Sequence, residues 1–533
     1  MSSTIARRLA ALASILLAPL ALAVQIELDT GLIEGAAADE VASVRVFRGI
    51  PYAAPPVGDA RWKPPMPPAA WDGVRSATEF GDICPQGSGL AQMTGEALPT
   101  LSEDCLFLNV WTTTAGSDAK QPVMVWIHGG GLSLGWSHQG IYDGVNLAKR
   151  GVVVVTINYR LGALGFLAHP LLSAEGGVSG NYGLLDQIAA LKWVQRNIAA
   201  FGGDPGNVTI FGESAGGTSV QALLASPHSK GLFHRAIVQS AWLTDSNYAA
   251  LTEGSPAGPS AEERGAAWVS ARLPEADSLD DLRAVDMNTM NAAQQQFVMD
   301  GDEAVPRAGF EVQVTIDGDF MPDHVLTVFA TGKQMDVPVM AGTNTDEGTM
   351  FVGALPFDTV ADYEAGTKAG LGEHAEAVLA LYPATDAASL FQAKNQFITD
   401  TWFVWGTRNM LAGMANVPSA AWHYHFSRRS VANPMMGAAH AAEIGYAFNN
   451  LTGPAADNGT DQALADAMIR YWVQFAATGD PNVDGLPAWP AYDRGSDQHL
   501  ELGEEIKAGS GYRKATVDEL NAIWAARAGI ASP

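Results

Sequence analysis

Short apolar runs rich in β-branched residues, separated by stretches with helical spacing, constrain the fold of this chain more than any other feature. Continuous apolar runs of this kind are typical of strands that are buried on both faces of a sheet. They predict strands at 122–127, 152–157, 207–211, 236–239, 337–340 and 420–426. Helical spacing predicts helices at 184–199, 215–225 and 463–477. The alternation predicts an α/β fold in which helices cover both faces of a mostly parallel central sheet, with ligands beyond the carboxyl ends of the strands.

Two segments match G-x-S-x-G, a pattern that often surrounds a nucleophilic serine: 131–135, which contains Ser133, and 212–216, which contains Ser214. The pattern alone is weak evidence in a chain with 56 glycines, so the surrounding structure has to decide. Ser214 closely follows a predicted strand and directly precedes a predicted helix, which is the setting of a nucleophile elbow. Ser133 follows its strand through three glycines, and no strong helix pattern begins there. Ser214 is therefore the predicted nucleophile.

The glycines before Ser133 have a different predicted role. They complete His128-Gly-Gly-Gly131, which follows the predicted strand ending at residue 127. Glycines let the backbone approach a substrate closely, and an H-G-G-G segment upstream of an elbow donates backbone N–H groups to an oxyanion. Gly130, Gly131 and Ala215, the residue after the nucleophile, are the predicted donors.

A nucleophilic serine needs a base, and the base needs a carboxylate that orients it. In this arrangement the order along the chain is serine, acid, histidine. Spacing favours His440, in a loop of small residues after the last predicted strand, whereas His423 and His425 lie within that strand. The loop after 337–340 offers both Asp346 and Glu347, and spacing does not choose between them.

The first 23 residues resemble a secretory signal peptide, with Arg7 and Arg8 ahead of an apolar run and a small-residue cleavage site near Ala23-Val24. The run is short for a membrane span, and no later apolar stretch is long enough to be one. We therefore expect a secreted or periplasmic protein. In an oxidising compartment, Cys84 and Cys105 are expected to form a disulfide that closes a 20-residue loop.

The charge balance, a formal net charge of −26, argues against nucleic acids and anionic membranes as partners. No histidine lies at ligand spacing from either cysteine, so no metal site is predicted. Covalent catalysis by serine needs no cofactor, and the expected partner is a small-molecule ester.

Motifs along most of the chain, from about residue 25 to 495, resemble those of the type B carboxylesterase and cholinesterase family. Besides H-G-G-G and F-G-E-S-A-G-G, these motifs are Phe47-Arg-Gly-Ile-Pro-Tyr-Ala-Ala-Pro-Pro56, Arg61-Trp62, Glu103-Asp-Cys-Leu-Phe-Leu-Asn-Val110, Asn158-Tyr-Arg-Leu-Gly162, Asn181-Tyr-Gly-Leu-Leu-Asp-Gln187, Phe201-Gly-Gly-Asp-Pro205, Gly342-Thr-Asn-Thr-Asp-Glu-Gly348, Gly437-Ala-Ala-His-Ala-Ala-Glu443 and Trp489-Pro-Ala-Tyr492.

The resemblance implies an α/β-hydrolase fold with large insertions around an active-site gorge, formed by one catalytic domain from residue 24 to 533. It implies that Glu347 is the triad acid, that His440 is the base, and that Cys84 and Cys105 pair. Glu213, before the nucleophile, matches a buried glutamate that supports the site electrostatically. The implied activity is that of a serine carboxylesterase.

The sequence also departs from the family pattern in ways that bear on specificity. Leu132 stands where an aromatic residue is common, and Trp242 places a large ring after the strand 236–239. Trp136, Trp402 and Trp405 are further candidates for lining the pocket. Residues 85–104 contain no aromatic side chain that could bind a choline cation, so choline esters are not the expected substrates. A specialised lipase, an amidase, a polyester or toxin esterase, and a non-catalytic adhesion protein on the same scaffold are the alternatives.

Overall fold

The computed structural model describes residues 24–38, 41–244, 247–255, 258–295, 297–300, 303–306 and 310–528. The predicted signal peptide, residues 1–23, lies outside the described residues.

The centre of the fold is a mixed sheet whose middle strands are parallel. Along the sheet the strand order is β1-β2-β3-β5-β7-β6-β8-β9-β14-β15-β16-β17, and β4 pairs with β2. The run from β7 to β16 is parallel throughout, whereas both ends of the sheet are antiparallel. The strands are β1 Val24–Leu28, β2 Gly31–Ala38, β3 Val41–Pro51, β4 Val74–Ser76, β5 Phe107–Thr112, β6 Gln121–Ile127, β7 Val153–Ile157, β8 Gly203–Glu213, β9 Arg235–Gln239, β10 Tyr248–Ala250, β11 Phe297–Asp300, β12 Glu303–Pro306, β13 Val314–Ile316, β14 Val339–Asn344, β15 Ala421–Phe426, β16 Gln498–Leu502 and β17 Ile506–Ser510.

Helices connect the parallel strands and cover the sheet. They are α1 Gly89–Thr94, α2 Val145–Ala148, α3 Gly162–Phe166, α4 Pro170–Gly176, α5 Tyr182–Asn197, α6 Ala215–Ala225, α7 Ala261–Arg272, α8 Leu279–Ala284, α9 Met287–Gln294, α10 Val325–Ala330, α11 Val360–Leu371, α12 Ala375–Leu381, α13 Ala387–Ile398, α14 Trp405–Gly413, α15 Ile444–Ala447, α16 Gly453–Ala456, α17 Gly459–Thr478 and α18 Lys514–Ala528. A π-helical segment, Thr399–Val404, joins α13 to α14.

Alternate residues of β6 face two separate hydrophobic clusters, which explains why its sequence is apolar after Gln121. Val125 belongs to the cluster that contains apolar residues of α5 and α6. Trp126 belongs to the cluster that contains apolar residues of α17. Both side chains are fully buried. The core thus lies on both faces of the sheet, as expected for parallel strands.

The six predicted strands correspond to β6, β7, β8, β9, β14 and β15, which are neighbours in the parallel part of the sheet. The helix predicted at 215–225 matches α6, and those at 184–199 and 463–477 overlap α5 and α17. The bounds differ most for two strands: β8 extends from Gly203 to Glu213, and β14 begins at Val339 and continues to Asn344. The extension of β14 beside β15 requires a glycine at position 342. A Cβ there would lie 2.4 Å from the Tyr424 ring on β15 and would clash with it.

A disulfide joins Cys84 to Cys105, with their Cα atoms 5.0 Å apart. The loop that it closes contacts the active-site region through Gln86, whose side-chain amide exchanges two hydrogen bonds with the backbone of Gly135. No helix within the described residues is long and apolar enough to cross a membrane.

Candidate active site

Ser214 occupies a sharp turn between β8 and α6. Its backbone has φ 57° and ψ −123°, a conformation that residues with side chains rarely adopt. Two of its neighbours have to be glycine for steric reasons. A Cβ on Gly216 would lie 2.0 Å from the carbonyl oxygen of Ile127, and one on Gly212 would lie 2.7 Å from the same oxygen. The turn fits only if both side chains are absent, and it leaves Ser214 partly exposed beyond the carboxyl end of β8.

The glycine loop after β6 lies directly against this turn. A Cβ on Gly129 would lie 3.1 Å from the Cβ of Ser214. The two glycines that follow have positive φ, 104° at Gly130 and 62° at Gly131, which frees their N–H groups from strand pairing. Within the described part of the chain, the N–H groups of Gly130, Gly131 and Ala215 donate no hydrogen bond to a protein acceptor. Ala215 directly follows the serine and begins α6, where the helix dipole favours negative charge.

His128 supports this loop as a neutral side chain. Its ring stacks on Tyr159 with centroids 4.5 Å apart, and its Nδ1 lies 2.8 Å from the carbonyl oxygen of Gly129. Burial lowers the pKa of His128 to about 4, so the ring is uncharged at neutral pH. Its place is structural, because the ring is committed to backbone and aromatic contacts.

His440 and Glu347 form the candidate base and its orienting acid. The Nδ1 of His440 lies 2.6 Å from Oε2 of Glu347. The other carboxylate oxygen, Oε1, accepts hydrogen bonds from the Ser240 hydroxyl at 2.6 Å and the Asn344 N–H at 2.7 Å. Glu347 is fully buried, so these contacts hold it rigidly. With Nδ1–H donated to the carboxylate, Nε2 is left as the basic nitrogen.

Asp346, the other acid that spacing allowed, points away from His440. One of its oxygens accepts the N–H of Ala438 at 3.0 Å, and the other accepts the side-chain amide of Asn395 at 3.1 Å. Asp346 therefore shapes the loop that leads to His440, whereas Glu347 contacts the imidazole itself.

Nε2 of His440 faces the residue before Ser214: it lies 3.2 Å from Oε1 of Glu213. Burial raises the pKa of the Glu213 carboxyl, and a positive charge on His440 opposes this effect, so the two groups stabilise each other's charged forms. Burial also lowers the pKa of His440, but the charges of Glu213 and Glu347 outweigh this effect and raise it to about 9. The imidazole thus lies between two carboxyl groups, with Glu213 and the elbow on its Nε2 side.

Two rings hold the imidazole from the sides. The centroid of Phe403 lies 4.6 Å from that of His440, and Phe351 makes an edge contact at 5.2 Å. Phe351 in turn contacts Trp402 at 5.7 Å. Trp402 therefore lies one ring away from the base, as part of an apolar wall.

The other candidate pocket residues have different surroundings. Trp242 and Trp402 keep some exposed surface. Trp405 is fully buried in the main core and its indole N–H donates to Asn521, and Trp136 is in a small cluster beneath the disulfide loop. Both have a packing role that their aromatic character alone did not reveal. Leu132, 1% exposed, belongs to the main core as well.

Several residues of the site have no sequence signal strong enough to single them out. Ser240 contacts Glu347 through its hydroxyl, and Phe351 and Phe403 contact His440. A buried carboxylate, Glu443, accepts hydrogen bonds from Asn344 and Gln239 at 2.7 and 3.1 Å. The available signals were weak: Phe351 follows the acid by four residues, Ser240 directly follows β9, and Glu443 ends the motif that contains His440.

Comparisons with known proteins find matches over most of the length of the chain. A family model described as the carboxylesterase family matches residues 22–520. Fumonisin B1 esterase of Sphingopyxis macrogoltabida is 39% identical over 495 residues, covering 91% of this chain and 87% of the relative. Para-nitrobenzyl esterase of Bacillus subtilis (strain 168) is 39% identical over 473 residues, covering 87% and 92%. Human cocaine esterase is 34% identical over 507 residues, covering 88% and 85%.

A solved structure of PNB esterase superposes with a TM-score of 0.78 at 35% sequence identity, covering 93% of this chain and 99% of that one. The present chain therefore has an α/β-hydrolase fold, and the fold class expected from its sequence is confirmed.

Proposed function

Because the chain belongs to the carboxylesterase family, we propose that it is an exported serine esterase that hydrolyses carboxylic esters through an acyl-enzyme on Ser214. One observation carries the proposal: Nδ1 of His440 lies 2.6 Å from Oε2 of Glu347, while its Nε2 lies 3.2 Å from Oε1 of Glu213, the residue directly before Ser214. A carboxylate, an imidazole and a serine at a strained turn are the groups that nucleophilic acyl transfer requires.

In the proposed mechanism, His440 takes the proton of Ser214 as the hydroxyl attacks the ester carbonyl. Negative charge develops on the carbonyl oxygen, and the N–H groups of Gly130, Gly131 and Ala215 bind it. Removal of one such donor typically costs about 3–4 kcal/mol of transition-state stabilisation. His440 then protonates the leaving alcohol. Water repeats the sequence on the acyl-enzyme, which releases the acid and restores the serine.

Export rests on the character of residues 1–23 and on the disulfide between Cys84 and Cys105. Disulfides persist in oxidising compartments, so a periplasmic or extracellular location fits the pairing. Mass spectrometry of protein from the culture medium or periplasm tests this part of the proposal. An N-terminus near Val24 is expected, and a retained Met1 would contradict it.

The catalytic part is tested with p-nitrophenyl esters of increasing acyl length and with two serine variants. Ser214→Ala is expected to lose nearly all activity. Ser133→Ala is the matched control, because Ser133 lies in the other G-x-S-x-G match and should be dispensable. Labelling with an organophosphonate followed by peptide mapping should place the label on Ser214. Failure of the wild-type protein to turn over any ester would favour a binding protein on this scaffold.

A second candidate substrate class is a toxin ester, because the chain is 39% identical to a fumonisin B1 esterase over 91% of its length. The direct test is hydrolysis of fumonisin B1 beside simple p-nitrophenyl esters. A kcat/KM that is higher for the toxin would support a specialised toxin esterase. A preference for the simple esters would support a general carboxylesterase.

A further inference from the structure

The segment between α13 and α14 has an unusual backbone. Residues Thr399–Val404 form a π-helical turn, with buried neighbours on both sides. Such turns are rare and are often found at functional sites, because the wider winding is less stable than an α-helix and has to be held by other contacts.

This turn contacts two of the loops that form the candidate active site. The hydroxyl of Thr399 accepts the N–H of Gly348, the residue directly after the candidate acid, at 2.9 Å. The carbonyl oxygen of Trp402 accepts the N–H of Leu243 at 2.8 Å, in the segment that follows β9 and Ser240. A shift of the π-helical turn would therefore move the backbone directly after Glu347. It would also move the segment after Ser240, whose hydroxyl contacts Glu347.

The same turn also contacts the candidate base, through the ring of Phe403 at 4.6 Å from His440. The ring of His440 is otherwise held at Nδ1 by Glu347 and at its edge by Phe351. Phe403 thus limits rotation of the imidazole about its own bonds, which is the freedom that decides where Nε2 points.

One carboxylate within the turn fixes its position. Asp400 is fully buried, and its Oδ2 accepts the hydroxyl of Tyr382 at 3.0 Å. Its Oδ1 accepts no hydrogen bond from the described residues, and the Nε of Arg513 lies 3.4 Å from it. Burial raises the pKa of Asp400 to about 6, against the opposing effects of Arg513 and Tyr382, so the group is charged above neutral pH. A buried charge of this kind depends strongly on its partner.

Arg513 comes from the far end of the chain, directly before α18. Its φ of 54° is unfavourable for a residue with a side chain, so other contacts have to hold it there. Its side chain is 25% exposed, so the contact with Asp400 joins the protein surface to the buried turn.

We infer that Asp400, held by Arg513, is a positioning residue that keeps the π-helical turn and Phe403 in place and thereby orients His440 for proton transfer. This inference rests on the proposed function. Asp400 acts through Phe403 and the backbone of the turn, and it does not contact the reacting atoms.

The test uses the full-length protein and three variants at the pair. Asp400→Asn keeps the shape and removes the charge, Arg513→Met removes the partner from a partly exposed position, and Arg513→Lys restores a positive charge. For each variant the number of active sites is counted with a serine-directed organophosphonate, and kcat is expressed per labelled site. The urea midpoint of unfolding is measured in parallel.

A merely structural role would lower the number of labelled sites and the unfolding midpoint, but not the turnover of the sites that remain. A positioning role lowers kcat per labelled site, and small displacements of catalytic groups can cost about 10- to 100-fold. We expect this loss in Asp400→Asn and Arg513→Met, with partial recovery in Arg513→Lys.

The matched control is Arg61→Met, which removes another buried ion pair, in which Nε donates to Oε2 of Glu103 at 2.8 Å. It should lower the unfolding midpoint and leave kcat per labelled site unchanged. Unchanged turnover per site in Arg513→Met, with normal wild-type enzyme, would overturn the positioning role alone. Absence of any label on Ser214 in the wild-type protein would instead overturn the proposed function.

Discussion

Replacing Glu213 by glutamine should move the acid limb of the activity profile to lower pH. Glu213 lies 3.2 Å from Nε2 of His440 and is buried, and its charge is one of three that raise the pKa of the imidazole to about 9. Glutamine keeps the shape of the side chain but removes that charge. His440 acts as a base only when it is neutral, so activity is lost as the pH falls through its pKa. A lower pKa therefore extends activity towards acid pH.

The size of the effect follows from the separation of the two groups. Unit charges 3.2 Å apart interact by about 1.3 kcal/mol in water and about 5 kcal/mol at an effective dielectric constant of about 20. One pKa unit corresponds to about 1.4 kcal/mol, so the expected shift is roughly one to four units. Glu347 remains in contact with Nδ1 in the variant and continues to raise the pKa.

The assay is the pH dependence of kcat/KM for a soluble ester, which reports the ionisation of the free enzyme. Glu443→Gln is the control, because the charge of Glu443 contributes less to the pKa of His440 than that of Glu213 or Glu347 does. We expect a shift of at least about one unit in Glu213→Gln and a smaller one in Glu443→Gln. The reasoning would be refuted if the acid limb of the wild-type profile lies near pH 6.5 and Glu213→Gln does not move it. Glu213 would then hold its own proton in the resting enzyme and carry no charge.

Three further predictions concern the acid, the elbow and the disulfide. Glu347→Gln should lower kcat by about 10⁴-fold, by analogy with other triads that lose their carboxylate, whereas Asp346→Asn should retain most of the turnover. Gly216→Ala places a Cβ 2.0 Å from a carbonyl oxygen and should lower the free energy of unfolding by about 1–3 kcal/mol in urea titrations, whereas Gly459→Ala, with open space around it, should not. Replacing both Cys84 and Cys105 by serine should cost about 3 kcal/mol by the same measurement, and a reductant should then have no further effect.

The parallel strands could be predicted from the sequence because burial of both faces requires runs of consecutive, mostly apolar residues. A strand covered on both faces is apolar at most of its positions, and the runs that became β6, β7, β8, β9, β14 and β15 are mostly apolar. The antiparallel strands at the two ends of the sheet are different: β1 and β17 alternate or expose their side chains, so their sequences carry no such signal.

The strand-turn-helix setting of Ser214 could likewise be predicted from the sequence, because its three parts lie within a few residues of each other. The same locality explains the glycines of the elbow, whose missing side chains are required by the atoms next to them. The disulfide pairing followed from there being only two cysteines.

The tertiary structure alone decided how distant groups meet. Asp346 and Glu347 are adjacent and chemically alike, and residue spacing gave no reason for one to contact His440, 93 residues away from Glu347. Residue spacing also did not distinguish Trp402 from Trp405. Trp402 lies beside the site and Trp405 lies in the core, because the π-helical turn between α13 and α14 sets the directions of their side chains. Short-range periodicity encodes which face of an element is buried, whereas the partners on that face depend on contacts between segments far apart in the chain.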